Sequence, residues 1–128
     1  RIEKGLQEPV IKVGNLEAKR NFTDVRDMVG AYYLAMEKGI PGELYLIGSN
    51  QIFTIKECLE MLINLSPMRK KIKYETDSER LRPTELRLLI GKFDKFEKLT
   101  GWKPKIPLKV TLESMLNYWR DSIERKGR

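Results

Sequence analysis

The spacing of apolar residues changes several times along the chain, and each change marks an element. Val10, Ile11, Lys12 and Val13 form a short β-branched run that stops at Gly14-Asn15, predicting a strand and then a turn. Residues 14–23 are polar and read as a loop. From Asp24 onward Val25, Met28, Val29, Tyr32 and Met36 follow helical spacing, with Asp24 and Asp27 in the first turn, where their charge complements the helix dipole. Lys38-Gly39, followed by Pro41-Gly42, stops that helix. Leu44, Tyr45, Leu46 and Ile47 are continuously apolar, which predicts a strand over 43–48 covered on both faces, as in a parallel sheet.

A loop is expected from Gly48 to Phe53. Thr54-Ile55-Lys56-Glu57 is a capping box: the Thr hydroxyl accepts from the Glu57 amide, and the Glu carboxylate reaches back to the Thr54 amide. It opens a helix with Ile55, Cys58, Leu59, Leu62 and Ile63 on one face and Ser66-Pro67 at its end. Ile72 to Glu75 alternate as a short strand does. Pro83 disfavours helical backbone at Arg82, which places Arg82 on extended chain or just ahead of a short helical turn. Phe93, Phe96 and Leu99 predict a short helix ending at Gly101. Leu112, Met115, Leu116, Trp119 and Ile123 predict a longer one, with Arg125 and Lys126 near its end.

Strands and helices that interleave in this way predict an α/β architecture. A strand buried on both faces needs neighbours on both sides, and residues 1–128 offer few, so the chain is expected to be part of a larger sheet. The chain begins with Arg1 and not Met, which is read as the loss of something upstream.

Composition narrows the chemistry. The 128 residues hold 25 Lys+Arg and 18 Asp+Glu, 25 − 18 = +7, and no His. A His-based triad and a His/Cys metal cluster are therefore excluded, and the lone Cys58 excludes a disulfide framework. Cys58 falls on the apolar face of the capped helix and is read as core filling, as are Trp102 and Trp119. No apolar run approaches the ~20 residues of a membrane span, and no signal-peptide pattern opens the chain. A reducing cytoplasm fits best.

Two sets of charges invite ligands. Arg69, Lys70, Lys71 and Lys73 form one basic cluster and Lys103, Lys105 and Lys109 another, and such runs attract phosphates. No zinc-finger, RRM or KH signature accompanies them, which argues against nucleic acid. The loop from Gly14 to Asp27 is better placed, because it joins a strand's carboxyl end to a helix, where α/β proteins bind ligands and where Arg clamps phosphate oxygens. From the residues alone Lys19 and Arg20 read first as ordinary surface charges, and Asn15 as a turn residue.

The stretch G-N-L-E-A-K-R-N-F-T-D-V-R-D resembles the extended short-chain dehydrogenase/reductase enzymes that act on GDP sugars, the GDP-mannose 4,6-dehydratases and GDP-4-keto-6-deoxymannose reductases. P-G-E-L-Y-L-I-G-S at 41–49, R-L-R-P-T-E-L at 80–86, T-G-W-K-P at 100–104 and T-L-E-S-M-L-N-Y-W-R at 111–120 follow in the family's order. The resemblance covers nearly the whole chain. It implies that 1–128 is the carboxyl-terminal, substrate-binding portion of such an enzyme, comprising the end of a Rossmann-type sheet and a small α/β region.

By the same resemblance Arg20 and Arg82 contact the substrate diphosphate, Asn15, Leu16 and Lys19 belong to the loop shaping the nucleotide pocket, and Glu85 accepts from ribose hydroxyls. Two guanidinium groups from distant segments can bracket two phosphates, and a carboxylate suits a vicinal diol. Read without the resemblance, Arg82 and Glu85 form a surface ion pair worth at most ~1 kcal/mol. Asn21 stands where the family usually has Asp, and Lys92 where Asp is common.

The family's other parts are NADP(H), bound by a glycine-rich turn in an amino-terminal Rossmann domain, and a Tyr-x-x-x-Lys pair. Neither sequence occurs in this chain, so alone it is expected to lack dehydrogenase activity. A GDP-sugar, that amino-terminal domain and a second copy of the intact enzyme are the partners implied; a membrane is not. The alternative is a free-standing, non-catalytic anion or nucleic-acid-binding module using the two basic clusters. A third possibility is that an exposed sheet edge pairs with another copy.

Overall fold

The computed structural model describes residues 1–81 and 88–126. Strand β1 (Val10–Val13) pairs in parallel with β4 (Lys73–Thr76), Val10 opposite Lys73 and Val13 opposite Thr76. A second sheet places β2 (Lys19–Asn21) between β3 (Ile52–Thr54) and β5 (Leu88–Leu89), antiparallel to β3 and parallel to β5. Helices α1 (Val25–Lys38), α2 (Ile55–Asn64), α3 (Asp94–Thr100) and α4 (Leu108–Lys126) complete the α/β fold.

The helices begin and end where their capping chemistry dictates. Asp24 caps α1 by accepting from the Arg26 amide, and the capping box at Thr54 and Glu57 forms with both of its bonds. Gly101 ends α3 in the left-handed conformation, φ 72°, which costs a glycine little. The start of α4 is capped from a distance: Gln51 accepts from the Leu108 amide at 2.9 Å and donates to the Ile106 carbonyl at 3.1 Å. Cys58, Leu108 and Leu112 form the buried core of the α2/α4 layer, with Phe22, Phe53, Met61, Leu62 and Leu65 packed around them.

Several expectations need correction. The polar stretches 14–23 and 48–53 are not loops throughout, since they contain β2 and β3. Strands this short are held by their ladders and carry too few residues for a period-two pattern. Residues 43–48, expected as a strand, join no sheet among the described residues. Tyr45 turns inward to meet Phe96 edge-on at 6.0 Å, while Leu44 is 78% and Leu46 54% exposed. On α1 the stripe Val25, Val29, Tyr32 and Met36 is also exposed, and Ala31 is the residue fully buried. Trp102 packs edge-on against Phe96 as expected, but Trp119 is 55% exposed beside Tyr118.

Candidate functional site

The candidate site starts at the carboxyl end of β1. The Asp77 amide donates to the Val13 carbonyl at 2.8 Å, and a 3-10 turn at Ser78–Arg80 then folds tightly over Gly14. A Cβ on Gly14 would lie 2.7 Å from the Arg80 carbonyl oxygen, so the approach depends on glycine. Asn15 follows and closes an Asx turn, its Oδ1 accepting from the Glu17 amide at 2.9 Å.

Residues 16–18 are fastened to the first turn of α2. The Leu16 carbonyl accepts from the Lys56 amide at 3.0 Å and the Ala18 carbonyl from the Ile55 amide at 3.1 Å, and Ala18 is buried. Two otherwise unsatisfied amides at a helix start thus anchor the loop. Lys19 is exposed at the start of β2, and its charge acts on Glu57. The Glu57 carboxyl is held below its ordinary value chiefly by the Thr54 amide and hydroxyl, with Lys19 contributing less. Arg20 stands half-buried on the central strand, paired with Phe53 on one side and Leu89 on the other, and its Nη1 donates to the Lys19 carbonyl at 2.7 Å.

Asn15, Leu16, Lys19 and Arg20 therefore form one continuous loop and strand. Arg82 and Glu85 lie outside the described residues. The chain next enters β5, whose Leu88 and Leu89 pair with Lys19 and Arg20.

The acidic residues of F-T-D-V-R-D do structural work that the helix-dipole reading missed. Asp24 is buried and accepts from the Arg26 amide, Nε and Nη2 at 2.9, 2.8 and 2.7 Å and from Thr111 Oγ1 at 2.7 Å. The Arg26 guanidinium, opposed by burial and aided by Thr111, holds its carboxyl far below the usual carboxylate range. Asp27 Oδ2 accepts from the Lys105 and Ile106 amides at 2.9 and 2.8 Å. These contacts join the start of α1 to the segment before α4. No local sequence signal could find them, because the partners are distant in sequence.

The remaining chemistry-bearing groups are accounted for structurally. Cys58 is buried in the core, and burial pushes its thiol up. Lys103 pairs with Glu97 at 2.8 Å, and Arg69, Lys70 and Lys71 are exposed on a turn. Among the described residues no group of three or more His, Cys, Asp or Glu is placed to hold a metal, and no helix is long and apolar enough to cross a membrane. One cavity of about 410 Å³ lies between the amino-terminal segment, α2 and α4, and another of about 540 Å³ beside Phe93 and Trp102. Neither is lined by Asn15, Leu16, Lys19 or Arg20.

Residues 1–115 match the family model described as GDP-mannose 4,6 dehydratase. The chain belongs to this family. The family chain is 31% identical over 126 residues to GDP-6-deoxy-D-mannose reductase of Pseudomonas aeruginosa, covering 98% of itself and 41% of that enzyme. It is 30% identical over 117 residues to GDP-mannose 4,6 dehydratase 1 of Arabidopsis thaliana, covering 91% of itself and 32% of the relative. The structure of RMD from Pseudomonas aeruginosa complexed with NADPH superposes with a TM-score of 0.85 at 30% identity, over 95% of this chain and 39% of that one. The α/β fold is thus that of an extended short-chain dehydrogenase/reductase, and the chain spans well under half the length of these relatives.

The matched reductase structure is complexed with NADPH. This chain has no Gly-x-x-Gly-x-x-Gly, and no Tyr in it is followed four residues later by Lys.

Proposed function

We propose that this chain holds the nucleotide diphosphate of a GDP-sugar within an NADP(H)-dependent GDP-mannose 4,6-dehydratase or GDP-4-keto-6-deoxymannose reductase. Residues 1–128 are its carboxyl-terminal, substrate-binding portion, and an amino-terminal Rossmann domain outside them binds the cofactor. NADP(H) there supplies the hydride chemistry; this chain's residues bind and orient.

The observation that carries the reading is the placement of Arg20. It stands on the central strand directly after a loop pinned to α2 and beside β5, which the chain enters from the segment of Arg82 and Glu85. A guanidinium fork on such a support suits bidentate contact with phosphate oxygens. Arg20 and Arg82 bracket the diphosphate, Lys19 adds positive charge, Asn15 and Leu16 shape the nucleotide pocket through their turn, and Glu85 accepts from the ribose hydroxyls.

The exposed stripe Val25, Val29, Tyr32 and Met36, together with Leu44 and Leu46, supports the missing-domain part of the proposal. Apolar surface on this scale is covered by another structure in a working protein.

Titration calorimetry of the gene's complete product with GDP tests the reading. Arg20→Ala and Arg82→Ala are each expected to weaken GDP by about 1–3 kcal/mol, the worth of a charge-assisted pair. Unchanged affinity in a correctly folded variant removes that arginine from the site. A short RNA bound more tightly than GDP, with a steep salt dependence, would favour the module using the basic clusters.

A further inference from the structure

The side chain of Asn21 spans two segments far from it in sequence. Its Nδ2 donates to the Ser49 carbonyl at 2.7 Å, and its Oδ1 accepts from the Gly91 amide at 2.9 Å. These partners fix the amide's orientation, because a carbonyl requires the NH2 and an N–H requires the oxygen. Both contacts lie immediately past Arg20, where the ladder between β2 and β5 ends.

Each anchor is itself held. Ser49 is 1% exposed, and its hydroxyl donates to the Phe22 carbonyl and accepts from the Gln51 amide at 3.1 Å. Gly48 and Gly91 both lie against the ring of Phe93, such that a Cβ on either would be 2.6 Å from a ring carbon. The ring fills the space between the two segments, and the Asn21 amide ties both to β2.

We infer that Asn21 is a positioning residue that locks the strand of Arg20 to the exit of β5 and to Ser49 and so holds Arg20 in place for the diphosphate. The inference rests on the reading of Arg20 and Arg82 as diphosphate ligands. The reason is the brevity of β5. A two-residue strand supplies few ladder bonds, and the bond to Gly91 clamps it two residues beyond its last paired residue, Leu89. Leu88 is held opposite Lys19, three residues after Glu85 and six after Arg82 in the chain. Without the lock, ligand binding must order this exit as well as the ligand, and that ordering costs affinity.

The amide also explains how Asn serves where the family usually has Asp. An ionised Asp would accept from Gly91 but offers no hydrogen to the Ser49 carbonyl. Asn21→Asp therefore keeps the half of the lock that faces β5, and Asn21→Ala keeps neither half.

The test is calorimetry with GDP on the gene's complete product, with folding checked by circular dichroism. Asn21→Ala is expected to weaken GDP about tenfold, and Asn21→Asp to weaken it at least about threefold, because its second oxygen would face the Ser49 carbonyl oxygen. Arg20→Ala is expected to cost at least about threefold less in the Asn21→Ala background than in wild type, because an unpositioned arginine has less to lose. If Asn21→Ala does not fold, Asn21→Ser, which is too short to span both partners, takes its place. The inference is overturned if the Asn21 loss changes affinity less than about twofold, if Asn21→Asp binds GDP as tightly as wild type, or if the effects of Asn21 and Arg20 simply multiply. Should Arg20→Ala and Arg82→Ala themselves leave GDP binding unchanged, the diphosphate reading falls first, and the positioning role with it.

Discussion

Glu3→Gln is a sharp perturbation because, of the two ion pairs that fasten the amino-terminal segment to the longest helix among the described residues, Glu3–Arg120 is the less exposed and Lys4–Glu124 the more exposed. Arg120 on α4 donates from Nε and Nη2 to the two Glu3 carboxylate oxygens at 2.8 and 2.7 Å, and Nη2 also reaches the Leu65 carbonyl at 3.4 Å. The Glu3 side chain is 18% exposed and that of Arg120 31%. The Arg120 hydrogen bonds outweigh burial and hold the Glu3 carboxyl at about 2, against an ordinary 4.5. A carboxyl depressed in the folded state stabilises fully above its unfolded value and loses that contribution as the pH falls through the folded one. The difference corresponds to about 3 kcal/mol at neutral pH, which solvent screening at the half-open guanidinium reduces to about 2 kcal/mol.

Urea unfolding of wild type and Glu3→Gln across a pH series measures this directly. The glutamine variant should be about 2 kcal/mol less stable at about pH 7 and at about pH 5. By about pH 3 the difference should fall to less than half, because the unfolded wild type then takes up the proton that the folded state resists. A difference that is constant across the series, or below about 0.5 kcal/mol at neutral pH, would refute the reasoning.

Two further substitutions probe local devices by chemical denaturation. Thr54→Ala removes the acceptor for the Glu57 amide at 3.0 Å and should cost about 1 kcal/mol, with a loss near zero showing that the cap is not needed. Gly48→Ala drives a methyl into the Phe93 ring and should cost about 1–3 kcal/mol, and the penalty should largely vanish in a Phe93→Ala background; equal costs in both backgrounds would exclude the ring as the cause.

Where structure follows from adjacent residues, the sequence was legible. The capping box at Thr54, the stop at Gly101 and the spacing of α1 and α4 all act within a few positions, and each element lies where those signals put it. The strands β2, β3 and β5 were not legible, because two or three residues are too few to show alternation and their identity comes from pairing across the fold. The same division runs through the candidate site. The turn at Asn15 could be anticipated, whereas Arg20 was expected in a loop and lies on β2, and the locks through Asn21, Asp27 and Gln51 join residues 55 to 79 positions apart in five of their six contacts. Polar side chains that bridge segments leave no periodic trace; Asn21 showed only as a departure from the familiar Asp.

The apolar pattern that the structure leaves uncovered is the more informative disagreement. A helix stripe at Val25, Val29, Tyr32 and Met36 and a continuous apolar run over 43–48 are independent signals of burial, one with helical period and the other with the composition of a strand covered on both faces. The stripe is exposed, and so are Leu44 and Leu46 of the run, while Tyr45 and Ile47 are half-buried; the two segments are neighbours in the chain, joined only by residues 39–42. Chance exposure would scatter apolar residues singly over the surface. Their concentration on one helix and the segment after it is what a sheet-and-helix layer presents when its complement lies in another part of the protein. The α2/α4 layer, by contrast, has its own core around Cys58, Leu108 and Leu112.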